Sequence, residues 1–165
     1  MPDRRISAQS KRCPIYGLIY RGDGLSQDLT IAGEVSVTLS VQSDCPDTDF
    51  VAKLIDLHPD GCAILLMDGV TRAMYRKPLG GPRLLMPGQV EQVTINLGHI
   101  HHTFDAGHRI EVDITSSNFP RRARNTNSGN PILANDTEAD IRIATNTIYH
   151  AEATPSFLEL PVLPR

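Results

Sequence analysis

Aliphatic and polar side chains alternate along several short stretches of this chain. In the stretch from Glu34 to Gln42, four aliphatic residues alternate with serine and threonine, and in Arg109 to Thr115 three alternate mainly with charged residues. Side chains two residues apart lie on one face of a strand, so each stretch predicts a β-strand with one buried face. We expect the second, between the turn residues Asp105-Ala-Gly107 and the break at Pro120, to be a central strand.

The hydrophobic pattern predicts further strands between these two. Phe50 to His58 has apolar residues on both faces, as in a strand covered on two sides. The turn sequence His58-Pro-Asp-Gly61 predicts a hairpin to a strand at Cys62 to Met67. Asp68-Gly69 is interpreted as a second turn, followed by a strand at Val70 to Arg76.

A later alternation, at Val93, Ile95 and Leu97, predicts a strand that we expect to pair with the central strand at 109–115. About eight strands at this spacing, with no convincing helix, are typical of an all-β sandwich or jelly roll. The remaining predicted strands are Gly17 to Arg21, Ile141 to Tyr149 and Phe157 to Leu163.

Length, composition and charge limit the possible domain organisation and the possible classes of partner. A chain of 165 residues with 40% hydrophobic side chains fits one globular domain, which we place at 16–165 after a flexible segment 1–15. A net charge of -3 gives no general attraction to nucleic acid or anionic lipid. No apolar run has the length of a signal peptide or a membrane span, so we expect a cytoplasmic protein.

Neither the cysteines nor the serines indicate a reaction centre. Cys13, Cys45 and Cys62 are odd in number and lack Cys-x-x-Cys spacing, which favours reduced thiols over disulfides or a zinc site. A Gly-x-Ser-x-Gly motif is absent, and around Ser26 the closest match, Gly24-Leu-Ser-Gln-Asp28, lacks the second glycine. No catalytic residue and no cofactor is predicted.

The histidines contain a weak metal-binding pattern. His99 and His101 would share one face of a strand, beside His102, and could bind a metal if a third ligand came from elsewhere. Solvated histidines at a sheet edge explain the same pattern, and we favour this interpretation. No metal ligand is predicted.

A polar loop places Asp44, Asp47 and Asp49 within six residues, and oxygen clusters in such loops can hold calcium. The chain lacks the ordered ligand pattern of a calcium loop. Aspartates also cap turns by accepting hydrogen bonds from nearby backbone N–H groups. We favour this structural role for the three carboxylates.

The polar passage from Pro120 to Asp140 is long for a compact domain, and such loops are usually functional, interfacial or mobile. It begins with a basic cluster, near Arg109 in sequence. Charge runs are most often solvated surface, and because this one lies in the longest loop we keep an interface or ligand contact as the alternative. A carbohydrate site is a weaker alternative because there is no Trp and only 5% of residues are aromatic. The candidate interface or ligand residues are Asn118, Phe119, Arg121, Arg122 and Arg124.

From Leu25 to Pro164 the chain resembles the C-terminal non-catalytic domain of the X-Pro dipeptidyl-peptidase, cocaine esterase and α-amino acid ester hydrolase family. Five ordered blocks carry the resemblance, including the run Asp-Thr-Asp-Phe-Val-Ala-Lys-Leu-Ile-Asp-Leu-His-Pro-Asp-Gly. The blocks are Leu25 to Val35, Asp47 to Gly61, Asp68 to Arg76, Phe104 to Arg121 and Thr147 to His150.

The resemblance implies a galactose-binding-like jelly roll without a reaction centre. In that family the Ser-Asp-His triad belongs to an α/β-hydrolase domain N-terminal to this segment, and the jelly roll packs against it and helps wall the active-site cleft. The implied partner is therefore an α/β-hydrolase domain or a second copy of this chain. Two alternatives stay open: part of a peptidase or esterase with dipeptidyl-peptidase or hydrolase activity, and a module that binds carbohydrate or another small ligand.

Overall fold

A computed structural model describes residues 7–8, 17–77 and 79–164, and its strands form two antiparallel sheets. This confirms the predicted all-β sandwich. The predicted flexible segment 1–15 lies outside the described residues, except for the short strand at 7–8. In the described part of the chain the strands are β1 (Ser7–Ala8), β2 (Gly17–Arg21), β3 (Leu29–Ser43), β4 (Asp49–Leu57), β5 (Ala63–Arg72), β6 (Glu91–Phe104), β7 (Arg109–Thr115), β8 (Asn146–Tyr149) and β9 (Phe157–Glu159).

The first sheet has the strand order β1-β2-β7-β4-β5, so β7 is its middle strand, as predicted. Strand β4 lies next to it and is buried on both faces, which confirms the interpretation of its two-sided apolar pattern. On the inner face, Leu54 and Val112 are register partners and belong to the hydrophobic core. On the outer face, Val51 is fully buried as well.

The second sheet is built on β3, which pairs with β6 along one edge and with β8 and β9 along the other. The four alternating aliphatic residues of β3 are all buried in the core, as their spacing predicts. Their hydroxyl-bearing neighbours are partly covered too: the Ser40 hydroxyl donates to the Pro155 carbonyl at 2.8 Å. The aliphatic residues are Val35, Val37, Leu39 and Val41.

The predicted turn at Asp68-Gly69 is wrong, because both residues lie inside the continuous strand β5. A β-carbon on Gly69 would collide with the Asn96 carbonyl oxygen and lie 2.9 Å from Leu97 Cδ2. This glycine therefore marks a close approach to β6 of the other sheet rather than a turn. The strand ends at Arg72, and a 3₁₀ helix at Ala73–Tyr75 takes the place of the rest of the predicted strand. Two further 3₁₀ helices are Leu133–Asn135 and Glu138–Asp140.

The predicted pairing of β6 with β7 is also wrong. Strand β6 pairs with β3, from Leu29 opposite Phe104 to Val41 opposite Glu91, whereas β7 pairs with β2 and β4. The turn at 105–108 carries the chain from one sheet to the other. Apolar and polar residues alternate in both strands as predicted, because β6 and β7 lie in different sheets and each sheet packs its apolar face on the common core.

The connections between strands collect at two opposite ends of the sandwich. We call one the loop end; it consists of residues 44–48, 73–90 and 116–145. The other, which we call the turn end, consists of residues 22–28, 58–62 and 105–108. The candidate chemistry of the chain lies at these two ends.

Candidate functional site

The predicted interface loop is anchored to strand β5. Asn118 Nδ2 donates to Asp68 Oδ2 at 2.5 Å, and the Arg121 guanidinium lies 3.1 Å from Asp68 Oδ1. The Asp68 side chain is nearly buried, whereas that of Phe119 is 67% exposed. Arg122 and Arg124 are exposed, so the loop presents an aromatic ring and arginines from a fixed base.

Arg109 does not join this cluster. It lies at the opposite end of β7, where its guanidinium donates to the Gly22 carbonyl at 3.1 Å. The five candidate residues thus stay together at the loop end, with Asn118 and Arg121 as anchors.

A fully buried carboxylate, Asp47, holds the rest of the loop end together. Its oxygens accept from the Arg72 guanidinium, from the Met74 backbone N–H at 2.9 Å and from Asn125 Nδ2 at 3.0 Å. The same guanidinium donates to the carbonyl oxygens of Asn130 and Pro131. A single buried ion pair therefore links three connections of the sandwich.

The other two aspartates of this predicted cluster also accept hydrogen bonds from the protein, and Asp49 shares the Asn125 amide with Asp47. Asp44 Oδ1 accepts from the Thr145 N–H at 2.7 Å, and this bond holds the pKa of Asp44 below its ordinary value. Asp49 Oδ1 accepts from Asn125 Nδ2 at 2.7 Å, while burial raises the pKa of Asp49. The three carboxylates thus accept hydrogen bonds that hold loops together, but their donors are distant in sequence and are not the nearby backbone N–H groups that we expected.

Asp136 organises the long polar passage in a similar way. It accepts from the Thr126 hydroxyl, from the Ser128 hydroxyl at 2.6 Å and from Asn130 Nδ2 at 2.9 Å. The hydroxyl bonds in particular lower the pKa of Asp136. This connection is therefore a hydrogen-bonded scaffold rather than an unstructured tether.

The loop end also carries much exposed apolar surface. Leu79 is 99% exposed and Ile143 is 95% exposed, and nine of the fifteen exposed large hydrophobic side chains among the described residues belong to this end. Isolated exposed hydrophobic residues are ordinary, but such a concentration makes the loop end a candidate interaction surface. The nine are Tyr75, Leu79, Leu84, Met86, Val90, Phe119, Ile132, Ile141 and Ile143.

The segment that carries several of these side chains is fixed by Arg76. Its nearly buried guanidinium donates to both oxygens of Glu91, at 3.1 and 3.0 Å, and to the Arg83 carbonyl at 2.6 Å. The Leu85 N–H then donates to the Pro46 carbonyl at 2.7 Å. The apolar side chains of this segment are thus held by backbone that is hydrogen bonded to its neighbours.

At the turn end, a second cluster forms around Asp56, whose side chain faces the core at the end of β4. His108 Nδ1 donates to its Oδ1 at 2.8 Å and His102 Nε2 donates to its Oδ2 at 3.0 Å. His58 Nε2 lies 4.0 Å from the same Oδ2. Sequence reasoning missed this cluster, although an aspartate within the buried run of β4 was a usable signal.

The predicted histidine pattern is divided between the two faces of β6. His99 and His101 share a face, as predicted, and both are exposed on it. His102 points the other way, toward Asp56, with its ring edge-on to Phe104 at a centroid distance of 4.8 Å. The three nearly contiguous histidines therefore do not converge on one point.

In the described part of the chain, histidine side chains hydrogen bond to Asp56 and to the Tyr20 hydroxyl, and none pairs with a serine. Ser26 is exposed in the 22–28 connection, beside an open groove of about 940 Å³. Residues 23–30 and 162–164 line this groove without an aromatic ring, which gives a sugar no stacking platform.

Cys45 and Cys62 are both unpaired thiols, Cys45 buried and Cys62 exposed. Burial raises the pKa of the Cys45 thiol, which makes it less reactive. Cys13 lies outside the described residues. None of the helices in the described ranges is long and apolar enough to cross a membrane.

The fold and the candidate sites together define a β-sandwich module that exposes apolar side chains at its loop end and whose described residues form no Ser–His pair. The family is identified by comparison with known proteins. The model of the X-Pro dipeptidyl-peptidase C-terminal non-catalytic domain matches residues 16–159, and this chain belongs to that family.

Similar proteins include hydrolases from bacteria and archaea. Cocaine esterase from Rhodococcus sp. (strain MB1 Bresler) is 39% identical over 148 residues, which are 90% of this chain and 26% of the relative. The solved structure of an α-amino acid ester hydrolase gives a TM-score of 0.85 at 30% identity, over 89% of this chain and 25% of that chain. The solved structure of an aminopeptidase from a Thaumarchaeota archaeon of marine sediment gives a TM-score of 0.88 at 27% identity, over 96% of this chain and 28% of that chain. The chain thus spans about a quarter of the length of the relatives it matches.

Proposed function

We propose that this chain is an accessory domain that packs its loop end against an α/β-hydrolase domain and helps to wall the active-site cleft. The observation that carries the proposal is the concentration of exposed apolar side chains on the hydrogen-bonded scaffold of the loop end. The relatives are about four times as long as the part matched here, so in them this domain shares a chain with other residues.

The composition of the anchored loop suits a protein partner. Aromatic and arginine side chains are enriched at protein interfaces and often dominate their binding energy. Phe119 is exposed beside Arg121 and Arg122, and Asp68 holds the base of the loop in place. A fixed loop loses less conformational entropy on binding than a mobile one.

The assembled enzyme would hydrolyse esters or amides. Among the relatives are an esterase, an ester hydrolase and an aminopeptidase, which share acyl transfer to water as their reaction class. In the proposed assembly the nucleophilic serine, its histidine and its acid come from the partner domain. This chain supplies packing surface and part of the cleft wall.

The test uses the α/β-hydrolase domain encoded ahead of, or next to, this chain in its own genome. We expect the purified hydrolase domain and this chain to co-elute on size-exclusion chromatography, with higher turnover of a chromogenic ester than the hydrolase domain has alone. This chain alone should show no turnover. Turnover by the isolated chain that is blocked by a serine-directed inhibitor would overturn the proposal.

A matched pair of variants locates the contact. Leu79→Glu places a charge at the loop end, whereas Leu65→Glu places the same charge on an exposed leucine near the turn end. We expect at least tenfold weaker association for Leu79→Glu and unchanged association for Leu65→Glu. Equal effects of the two variants would contradict a contact through the loop end, as would the lack of any such hydrolase gene.

We also propose that the protein works in the reducing cytoplasm, since both described cysteines are unpaired thiols. Fractionation of the source cells with immunoblotting tests this placement. Recovery of the protein from the external medium would contradict it.

A further inference from the structure

We infer that Asp56, His58 and His108 form a binding site for a divalent first-row transition metal ion at the turn end. The inference is independent of the proposed docking, which concerns the opposite end of the sandwich. One potential ligand atom from each of the three side chains lies within 4.8 Å of the other two. His102 completes the cluster by holding the second carboxylate oxygen.

Strand register brings the ligands together. Leu57 of β4 lies opposite Arg109 of β7, so the residues just beyond this pair, His58 and His108, are neighbours at the edge of the sheet. Their rings lie 4.1 Å apart between centroids. Asp56 precedes Leu57, and its carboxylate contacts His108 and, from the other sheet, His102. The site is therefore built on paired strands rather than on a free loop.

Charge and burial favour a cation at this place. The Asp56 side chain is 4% exposed, and a carboxylate that deep needs compensation from charge or hydrogen bonds. Two imidazoles now supply hydrogen bonds to its two oxygens. A bound dication would balance the carboxylate charge directly, and the bond from His102 would keep the ligating carboxylate oriented.

The distances are short enough for closure around an ion. Zinc–nitrogen bonds of about 2.0–2.1 Å place tetrahedral ligand atoms roughly 3.4 Å apart. The separations here are all within 4.8 Å, so none has to shrink by more than about 1.4 Å. His58 begins the β4–β5 turn and its side chain is 36% exposed, so its ring has both room to move and contact with solvent.

The donor set selects the class of ion. Two imidazole nitrogens and one carboxylate suit zinc, iron, cobalt, nickel and copper, whereas calcium and magnesium prefer oxygen ligands alone. Three protein ligands leave a further position for water on the exposed side of His58. A bound ion would join the β4–β5 turn to the β6–β7 turn, and through His102 it would also brace the second sheet.

The test measures competition between the purified chain and a fluorescent zinc indicator. We expect one zinc equivalent per chain at submicromolar affinity and a rise in Tm of several degrees with zinc but not with calcium. His58→Gln should weaken zinc binding at least tenfold. Because His58 is partly exposed and makes no short bond to Asp56, its variant should keep the Tm of the metal-free protein.

The double variant His99→Gln/His101→Gln is the matched control, since both histidines are exposed on the outer face of β6. It should bind zinc like the parent chain. Absence of competition at micromolar protein, or equal loss in the control and in His58→Gln, would overturn the inference.

Discussion

Single residues with buried charge are matched to specific partners throughout this sandwich. Glu111 is 1% exposed on the outer face of β7, and its carboxylate accepts from Arg21 Nε at 2.7 Å. Asp47 and Asp56 are satisfied in the same manner at the loop end and the turn end. Because an unpaired buried charge is costly, these positions are the most sensitive polar sites of the domain.

Replacing Asp47 with alanine should be strongly destabilising. The change leaves the Arg72 guanidinium and the Met74 N–H without the carboxylate that they share. Breaking a buried pair by removing one partner costs about 3–5 kcal/mol, and urea unfolding measures that loss. Asp23→Ala, at an exposed position of the turn end, should stay within about 0.5 kcal/mol of the parent chain. An Asp47→Ala protein as stable as the control would contradict the structural role of the pair.

The Arg76–Glu91 pair makes stability depend on pH. Hydrogen bonds from Arg76 hold the pKa of Glu91 below its ordinary value of 4.5. The folded state therefore binds the proton less readily than the unfolded chain, and the pair stabilises the fold above that value. This contribution is lost as the pH falls through the lowered folded pKa.

Glu91→Gln should accordingly lower the Tm at neutral pH, and its difference from the parent chain should close at acid pH, once the pH has fallen below the lowered pKa of Glu91 in the folded state. Thermal melts between neutral and acid pH measure this difference in Tm. The exposed Glu152→Gln gives the comparison, with no gap expected at either pH. If the Tm difference between Glu91→Gln and the parent chain stayed the same at acid pH, the ion pair could not be its cause.

Sequence reasoning reached some residue roles and missed others for a physical reason. The spacing of Asp44, Asp47 and Asp49 in one polar loop predicts a structural role as acceptors of nearby backbone N–H groups, but their actual donors are distant in sequence. The partners of Asp47 are 25 positions (Arg72) and 78 positions (Asn125) away in sequence, so no local pattern could reveal that network. The cluster at Asp56 was missed because its three histidines come from separate turns and strands.

At the scale of elements, alternation predicted where strands occur but not how they pair. Strands β6 and β7 each bury one face in the core, and this pattern is the same whether they share a sheet or face each other across it. Gly69 illustrates the same limit, because a glycine needed for close packing has the same sequence signature as a glycine in a turn.

Gly69→Ala should therefore destabilise the domain by about 1–3 kcal/mol, because its new methyl group would press β5 away from β6. Chemical denaturation provides the measurement. Gly24→Ala is the matched control: its new methyl group would lie 3.7 Å from the nearest atom, an ordinary contact. If Gly69→Ala proved as mild as this control, the close approach of the two strands would be refuted.

At the scale of the whole molecule, family resemblance predicted the architecture and membership correctly, since five blocks spread along the chain carried it. The division into a loop end and a turn end could not be predicted in this way. That division depends on strand order, which follows from long-range pairing.

Without a hydrolase partner, the apolar loop end should cause self-association. We expect a concentration-dependent dimer by size-exclusion chromatography with light scattering, because association would bury the exposed apolar side chains. The double variant Leu79→Glu/Ile143→Glu should remain monomeric. If the parent chain were strictly monomeric at high concentration, the prediction of a dimer would be wrong.

The length of β3 has a practical consequence for any such assay. Its fifteen residues span about 46 Å, so a group attached at one end of the sandwich stays clear of whatever docks at the other. Cys62, exposed in the β4–β5 turn, offers such an attachment point, whereas Cys45 is shielded by burial. With Cys13 replaced by serine, a dye or a biotin tether on Cys62 would orient the molecule on a sensor chip with the loop end, its proposed docking surface, turned toward the solution.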